Sequence, residues 1–324
     1  MSSFMSTSTP SFDIETVPDH HREMVSALIP DPRIADGYVH RDALKGVYDF
    51  DMLDGATNMR HNVLLVGPTG SSKTTMFRAY AAARQLPIAI VECSANMDPK
   101  SVLGRRDIDR VSGLPVWLDA PHTLVIRYGG VVVYDEVNMA HPRVTAAFHG
   151  VTSVMRRLDL QENGEIINAG RGGLGERQPV LIGAAINPTS YSGTTRLNPA
   201  FRNRFPMPVK WPYVRAVEEQ MVRSVTLLNM ADTIRSLADV QSPVSTNMLI
   251  EFERHVHAFG PEAAAELFCN HFDDDEVAPI ERALEANSQQ IYDEVTAEDE
   301  AGEFGVAVSD GDGGFVEVVE EAGV

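Results

Sequence analysis

The stretch VLLVGPTGSSKTT, Val63 to Thr75, is the most informative part of the chain. An apolar run typical of a buried strand leads into a glycine-rich turn, and a helical pattern then continues to about Leu86. In a phosphate-binding loop, successive backbone N–H groups cradle phosphate oxygens, a lysine reaches the β and γ phosphates, and a hydroxyl ligates Mg²⁺. The stretch therefore predicts such a loop, with a purely structural glycine turn as the alternative.

Nine consecutive residues are predicted to bind the nucleotide, with Lys73 on the β and γ phosphates and Thr74 on the metal ion. They are Gly67, Pro68, Thr69, Gly70, Ser71, Ser72, Lys73, Thr74 and Thr75. The loop departs from the usual pattern at one place, because Ser72 stands where a glycine is expected before the lysine. The Cβ of this serine has to fit beside the nucleotide.

Short apolar runs alternate with helical patterns from residue 61 onward, as expected of a parallel α/β sheet buried on both faces. The runs are VLLV (63–66), IAIV (88–91), VVVY (131–134) and VLIGAA (180–185), followed by FPMPVKW from Phe205, whose prolines fit only an edge strand. Behind Pro142, helical spacing over 142–158 predicts one helix against the sheet. Beyond Pro212 we find no convincing strand, which predicts a smaller all-helical domain.

Two carboxylates, Asp135 and Glu136, follow the third apolar run in VVVYDEVN. Open α/β sheets bind ligands at the carboxyl ends of their parallel strands. We therefore expect Asp135 to hold Mg²⁺ and Glu136 to take the proton from an attacking water. Simple capping of the next helix is the alternative.

Polar residues also follow the last two strands. Asn187, in AAINP, is expected to orient the attacking water between the carboxylates and the γ-phosphate, with an Asn-Pro turn as the alternative. In LNPAFRNRF (197–205), Arg202 and Arg204 have no obvious carboxylate partner in the sequence. One of these arginines is predicted to reach the phosphate of a neighbouring subunit.

In this order and spacing, the motifs resemble those of AAA+ ATPases, and their details resemble the MoxR class, especially its CbbQ/NorQ branch. The resemblance covers residues from about 30 to 292. It implies a five-stranded parallel sheet of order 5-1-4-3-2 followed by a helical lid, with ATP and Mg²⁺ as cofactors. It favours Arg204 as the arginine that acts across subunits. Where the class usually has a lid arginine, this chain has Asn247.

The same resemblance implies an assembly and a partner. Segments 104–130 and 157–170 match two inserted elements that line the central pore of a hexameric ring. The class often acts on a protein with a von Willebrand factor A domain. The predicted function is therefore ATP-driven remodelling or activation of a partner protein.

The charge of the chain bears on two rival functions. With 46 acidic and 27 basic residues, the net charge of −19 disfavours general affinity for nucleic acid or anionic membranes. The basic cluster of Arg105, Arg106 and Arg110 keeps a nucleic-acid motor as an alternative. Ser72 and Asn247 motivate a second alternative, a nucleotide-binding scaffold with little hydrolysis.

The ends of the chain are predicted to be weakly ordered. We expect a Ser/Thr-rich segment 1–29, an ATPase core over 30–212, a lid over 213–292, and an acidic disordered tail over 293–324 with eleven acidic residues and no Lys or Arg. No apolar run reaches the roughly 18 residues of a membrane helix. Two cysteines cannot form a disulfide framework, which suits the reducing cytoplasm where we expect the protein.

Overall fold

The computed structural model describes residues 9–110, 112–188, 196–237, 240, 242–297, 306–309 and 315–318. The chain divides into two compact units. The first comprises residues 1–67 and 73–211, and the second comprises residues 68–72 and 212–324. The short loop 68–72 thus interrupts the first unit in sequence.

Helices and strands alternate through the first unit, whereas helices dominate the second. The first unit contains α1 Asp19–Ser26, α2 Arg33–Asp36, α3 Asp49–Met59, β1 Val63–Val66, α4 Lys73–Arg84, β2 Ile88–Glu92, α5 Pro99–Leu103, β3 Gly104–Ile108, β4 Pro115–Asp119, α6 Pro121–Tyr128, β5 Gly130–Asp135, α7 Pro142–Ala147, α8 His149–Thr152, β6 Arg157–Leu160, β7 Glu165–Asn168, β8 Val180–Ile186, α9 Pro199–Arg202 and β9 Met207–Lys210. The second contains α10 Arg215–Glu218, α11 Val225–Ser236, α12 Thr246–Phe259, α13 Pro261–Cys269, α14 Asp274–Glu285, α15 Ser288–Thr296, β10 Val306–Ser309 and β11 Phe315–Val318. No helix in the described ranges is long and apolar enough to cross a membrane.

Five parallel strands form the central sheet in the order β2-β5-β8-β1-β9. Numbered along the chain, this is the predicted order 5-1-4-3-2, and the prediction is confirmed. The central strands β5 and β8 are buried along almost their whole length, which explains their continuous apolar runs. Strand β9 lies at the edge of the sheet. Pro208 has no N–H to donate, which an edge strand tolerates because only one of its sides is paired.

The predicted helix over 142–158 is wrong beyond Thr152. Two short helices, α7 and α8, end there, and Ser153 is extended. Arg156 then adopts a left-handed conformation with φ of 46°, and strand β6 begins at the next residue. Met155, placed on the helical face by spacing, is 75% exposed. Leu158 is also buried, but it lies in strand β6, so its helical spacing from the earlier apolar residues is a coincidence.

The predicted weak order of segment 1–29 is also wrong for residues 12–29. Val17 and Val25 are fully buried and pack with Leu124 and Tyr128 of α6. The His21 ring shares a hydrogen bond of 2.7 Å with the Tyr128 hydroxyl. Few but well-placed apolar residues thus fix a polar segment whose composition is typical of a loop. Residues 1–8 lie outside the described part.

Two antiparallel hairpins of the first unit match the segments expected to line a pore. Strand β3 pairs with β4, and β6 pairs with β7 around the predicted Asn163-Gly164 turn, where Gly164 has a φ of 68°. We call these pairs hairpin 1 and hairpin 2. The tip of hairpin 2 lies against β3 and α5, because Arg106 of β3 donates to the backbone oxygen of Glu162 and Lys100 of α5 forms an ion pair with the same residue.

The predicted lid boundary at residue 292 is too early, because α15 continues to Thr296. Val295 is fully buried, and the Glu294 carboxylate accepts hydrogen bonds from the Ser224 hydroxyl at 2.7 Å and from Thr226. Burial opposes ionisation, but these bonds lower the pKa of Glu294 to about 2. This acidic residue therefore belongs to the helical domain rather than to the tail.

Within the tail, β10 and β11 pair antiparallel, which contradicts the expectation that no strand follows Pro212. Their alternating Val and Phe residues are typical of strands. The rest of the predicted disordered tail, including 298–305 and 319–324, lies outside the described residues.

Candidate nucleotide site

The loop between β1 and α4 has the conformation that phosphate binding requires. Gly70 and Ser72 both have positive φ, of 67° and 63°. A turn of this kind directs successive backbone N–H groups toward a common point, which forms an anion-binding concavity. Ser72 thus adopts the left-handed conformation of the glycine that it replaces, at a cost of about 1–2 kcal/mol for an L residue.

Close contacts explain why two positions of this loop are glycine. A Cβ on Gly70 would lie 2.5 Å from the Cβ of Ser245, which belongs to the same unit as the loop. A Cβ on Gly67 would lie 1.9 Å from the backbone oxygen of Trp211. No larger side chain fits at either place without a backbone shift.

Side chains brace the loop from within the second unit. The Ser71 hydroxyl donates to the Pro68 carbonyl at 2.8 Å, which closes the turn on itself. The Tyr213 hydroxyl donates to the Thr69 carbonyl at 2.6 Å. These two hydrogen bonds use the carbonyls of Pro68 and Thr69 and hold the turn in its conformation.

Lys73 is the buried cation of the site. It is the first residue of α4 and is 8% exposed. Its Nζ donates to the Gly67 carbonyl at 3.0 Å and to Asn187 Oδ1 at 2.9 Å. Burial lowers its pKa to about 8, although the carboxylates of Asp135 and Glu136 act in the opposite direction. The ammonium group therefore stays charged at neutral pH, as phosphate neutralisation requires.

Oxygen donors suited to Mg²⁺ lie side by side next to Lys73. The Thr74 hydroxyl donates to Asp135 Oδ2, and the backbone N–H of Glu136 donates to Asp135 Oδ1 at 2.9 Å. Hard cations such as Mg²⁺ prefer oxygen ligands, and a hydroxyl beside a carboxylate supplies them. The residues therefore fit the predicted metal. Thr75 follows in the first turn of α4 and is half-buried.

Asn187 connects the lysine to the second carboxylate. Its Oδ1 accepts from Lys73, and its Nδ2 donates to Glu136 Oε1 at 3.2 Å. The side chain is 8% exposed, and its own carbonyl accepts from Asn138 Nδ2 at 3.3 Å. A left-handed φ of 48° at Glu136 directs the chain out of β5 at this point. The predicted Lys73, Glu136 and Asn187 are thus brought together.

Arg204 takes part in none of the contacts that join this cluster in the described part of the chain. It follows α9 between the buried Phe201 and Phe205, and it makes no hydrogen bond or ion pair to Lys73 or Glu136 among the described residues. Its Nε is buried, with no hydrogen-bond partner in the described part of the chain. Arg202, the other candidate, is exposed.

Sequence reasoning missed three polar residues around these groups. Asn138 was visible in the same VVVYDEVN motif, three positions after Asp135. Asn62 and Arg156 carried no motif, because their partners are distant in the sequence. Asn247, at the position of the usual lid arginine, lies in the first turn of α12.

Part of the chain is similar to a known protein family and to several known proteins. Residues 62–205 match the family model of the AAA domain, dynein-related subfamily. An uncharacterized protein of Staphylococcus haemolyticus is 36% identical over 151 residues, or 46% of this chain and 54% of that protein. Uncharacterized protein YojN of Bacillus subtilis is 30% identical over 198 residues, or 60% of this chain and 61% of YojN. The matched parts of this chain thus span less than two thirds of these relatives.

A solved structure with some likeness is a single-residue mutant of RuvB from Thermotoga maritima. It is 14% identical, with a TM-score of 0.40, and the match covers 79% of this chain and 77% of that one. A likeness this weak carries no argument about function. The sheet order, the loop with its polar side chains, and the family match over residues 62–205 are those of the P-loop fold found in AAA domains.

Proposed function

We propose that the protein is a Mg²⁺-dependent ATPase that works as a ring and remodels or activates a partner protein. The observation that supports this most directly is the continuous set of contacts from Lys73 through Asn187 to Glu136, with Thr74 and Asp135 beside it. Asp135 ends β5 and Asn187 follows β8, and the carboxyl ends of such strands are where open α/β sheets bind ligands.

Each of these side chains has a distinct part in hydrolysis. Lys73 neutralises the β and γ phosphates, while Thr74 and Asp135 hold the metal ion. A Mg²⁺ ion held there would supply positive charge to offset the charge that develops on the phosphates. Glu136 takes the proton from the attacking water, and Asn187 orients that water because its amide already contacts the Glu136 carboxylate.

The ring is proposed from the position of Arg204 and from the resemblance to the MoxR class. Arg204 would stabilise the charge of the transition state at the neighbouring subunit's ATP, and a hexamer is the expected assembly. Because the sequence resembles the CbbQ/NorQ branch, a protein with a von Willebrand factor A domain is the expected partner. We place the protein in the cytoplasm.

The surface between the two hairpins and α7 fits a protein partner. A cavity of about 590 Å³ lies there, lined by Leu103, Trp117, Arg143 and Met155 among others. Met155 is 75% exposed, and the neighbouring Val154 is 94% exposed. Apolar side chains rimmed by charged ones are typical of protein interaction sites.

Phosphate release and sedimentation test this proposal together. With ATP and Mg²⁺, we expect turnover and a ring, and we expect Lys73→Ala to weaken ATP binding and abolish both. A protein that stays monomeric with ATP would contradict the proposed ring, and one that binds ATP but releases no phosphate would favour the scaffold. Strong stimulation of turnover by DNA would favour the nucleic-acid motor suggested by Arg105, which is largely exposed on β3.

A further inference from the structure

A buried amide holds the backbone of Arg204. Asn62, between α3 and β1, is 3% exposed. Its Nδ2 donates to the Arg204 carbonyl at 2.6 Å and to the Thr152 carbonyl at 2.7 Å, and its Oδ1 accepts from Arg156 Nη2 at 2.8 Å. Both donors of the amide are therefore used, and one side chain joins three segments that are distant in the sequence.

Arg156 completes this buried group at the entry to hairpin 2. It is 2% exposed, and its Nη1 donates to the Val180 carbonyl at the start of β8. No acidic residue in the described ranges forms an ion pair with it. A buried cation without a carboxylate is costly unless its donors are well used, and here neutral oxygens accept from it. Burial lowers the pKa of Arg156 to about 10, assisted by nearby Arg60 and Arg177.

The position of the Arg204 side chain depends on its backbone. Its Nε has no hydrogen-bond partner among the described residues, so no contact of that atom orients the guanidinium. Phe201 and Phe205 anchor the segment by packing in the core. The hydrogen bond from Asn62 fixes the carbonyl of Arg204 itself, and with it the direction in which the side chain leaves the chain.

We propose that Asn62 and Arg156 are a positioning pair for Arg204 and connect it to hairpin 2, which begins at Arg157. The inference rests on the proposed function, in which Arg204 acts on the neighbouring subunit's ATP. Because the interior is close-packed, a displacement of hairpin 2 is transmitted through Arg156 and Asn62 to the Arg204 carbonyl. Engagement of a partner at this hairpin is thereby coupled to hydrolysis in the next subunit.

The test compares Asn62→Ala, Arg204→Ala and the double variant in the full-length protein. A misplacement of about 1 Å costs roughly 100-fold in rate, so we expect Asn62→Ala to lower kcat by about 10–100-fold while the KM for ATP stays near the parental value. The double variant should turn over no more slowly than Arg204→Ala alone, because both changes remove the same contribution. Thr152→Val is the matched control.

This control changes an equally buried residue of the same group without touching Arg204. The Thr152 hydroxyl bonds only within its own helix region, at 2.8 Å to the Phe148 carbonyl, and the Thr152 carbonyl would still accept from Asn62. We expect Thr152→Val to keep parental kcat. Should Asn62→Ala fail to fold, Arg156→Lys is the second variant, because an ammonium group cannot reproduce the two-pronged contact to Asn62 and Val180.

The possible results distinguish a failure of the positioning pair from a failure of the proposed trans role of Arg204. Parental kcat in Asn62→Ala and Arg156→Lys, together with a loss in Arg204→Ala, would overturn the positioning pair alone. An equal loss from Asn62→Ala in parental and Arg204→Ala backgrounds would show a general structural effect and also overturn it. Parental kcat in Arg204→Ala would instead refute the trans arginine of the proposed function.

Discussion

Replacing Glu136 by glutamine isolates the proton-transfer step from nucleotide binding. Glutamine has the same shape and keeps a side-chain oxygen that can accept from Asn187 Nδ2, a bond of 3.2 Å in the parent. The contacts of Lys73 to Gly67 and Asn187 do not involve Glu136. The substitution therefore removes the proton acceptor while the groups that contact the phosphates stay in place.

The expected loss follows from the role of a general base. Such a group contributes roughly 10²–10⁴-fold to the rate, which corresponds to about 3–5 kcal/mol of transition-state stabilisation. In the part of the chain that the structure describes, Glu136 makes no hydrogen bond to the loop, whereas Ser71 and Tyr213 do. We therefore expect kcat to fall by this factor and the affinity for ATP to stay near the parental value.

The assay is steady-state phosphate release with Mg²⁺, paired with equilibrium binding of ATP to the same preparation. Glu92→Gln is the matched control, because Glu92 ends the neighbouring strand β2 in register with Asp135. This control applies the same chemical change at the same edge of the sheet. It should leave both kcat and affinity at parental values.

Two results would refute the reasoning. Parental phosphate release by Glu136→Gln would show that another group accepts the proton. Equal losses in Glu136→Gln and Glu92→Gln would show that negative charge at this edge matters rather than the base itself, and the role given to Glu136 would then be withdrawn.

Further predictions concern the ring, the loop and the lid. When Arg204→Ala subunits are mixed into parental rings, phosphate release should fall more steeply than the fraction of parental subunits. Phosphate release that is strictly proportional to that fraction would exclude a site shared between subunits. Ser72→Gly should leave the urea midpoint at or above the parental value, because about 1–2 kcal/mol of left-handed strain outweighs about 0.5–1 kcal/mol of glycine entropy; Ser72→Val should lower it. Truncation after Ala297 should keep ATP turnover, whereas truncation after Tyr292 should lower the melting temperature; equal melting temperatures would contradict the corrected boundary. Glu294→Gln should destabilise the protein above pH 4.5, with the difference lost as pH falls toward 2, because the folded-state pKa is depressed; a pH-independent difference would contradict this.

Local patterns predicted most of the sheet and of the site. The strands were recognisable because central parallel strands are buried on both faces and therefore appear as continuous apolar runs, as in β5. The site residues were recognisable because they directly follow these runs, at the strand ends. Lys73, Asp135, Glu136 and Asn187 are brought together for this reason.

Predictions failed where distant partners decide the structure. Helical spacing continued past Thr152, but hairpin 2 takes over the chain there. Val17 orders a polar segment because α6 offers an apolar surface, which composition does not reveal. Glu294 looked like part of a charged tail, yet its carboxylate is held by residues of α11 and its N-cap.

The sequence by itself determined the five strands of the central sheet, the predicted phosphate-binding loop and the carboxylates at the sheet edge, because these depend on burial and on residues adjacent in the chain. Only the tertiary structure decided that Asn187 contacts both Lys73 and Glu136, and that Asn62 bonds both the Arg204 carbonyl and Arg156. Such contacts join residues separated by as many as 142 positions. A buried polar group takes whichever partner the fold presents, since an unsatisfied donor or acceptor is costly, and local sequence does not specify that partner.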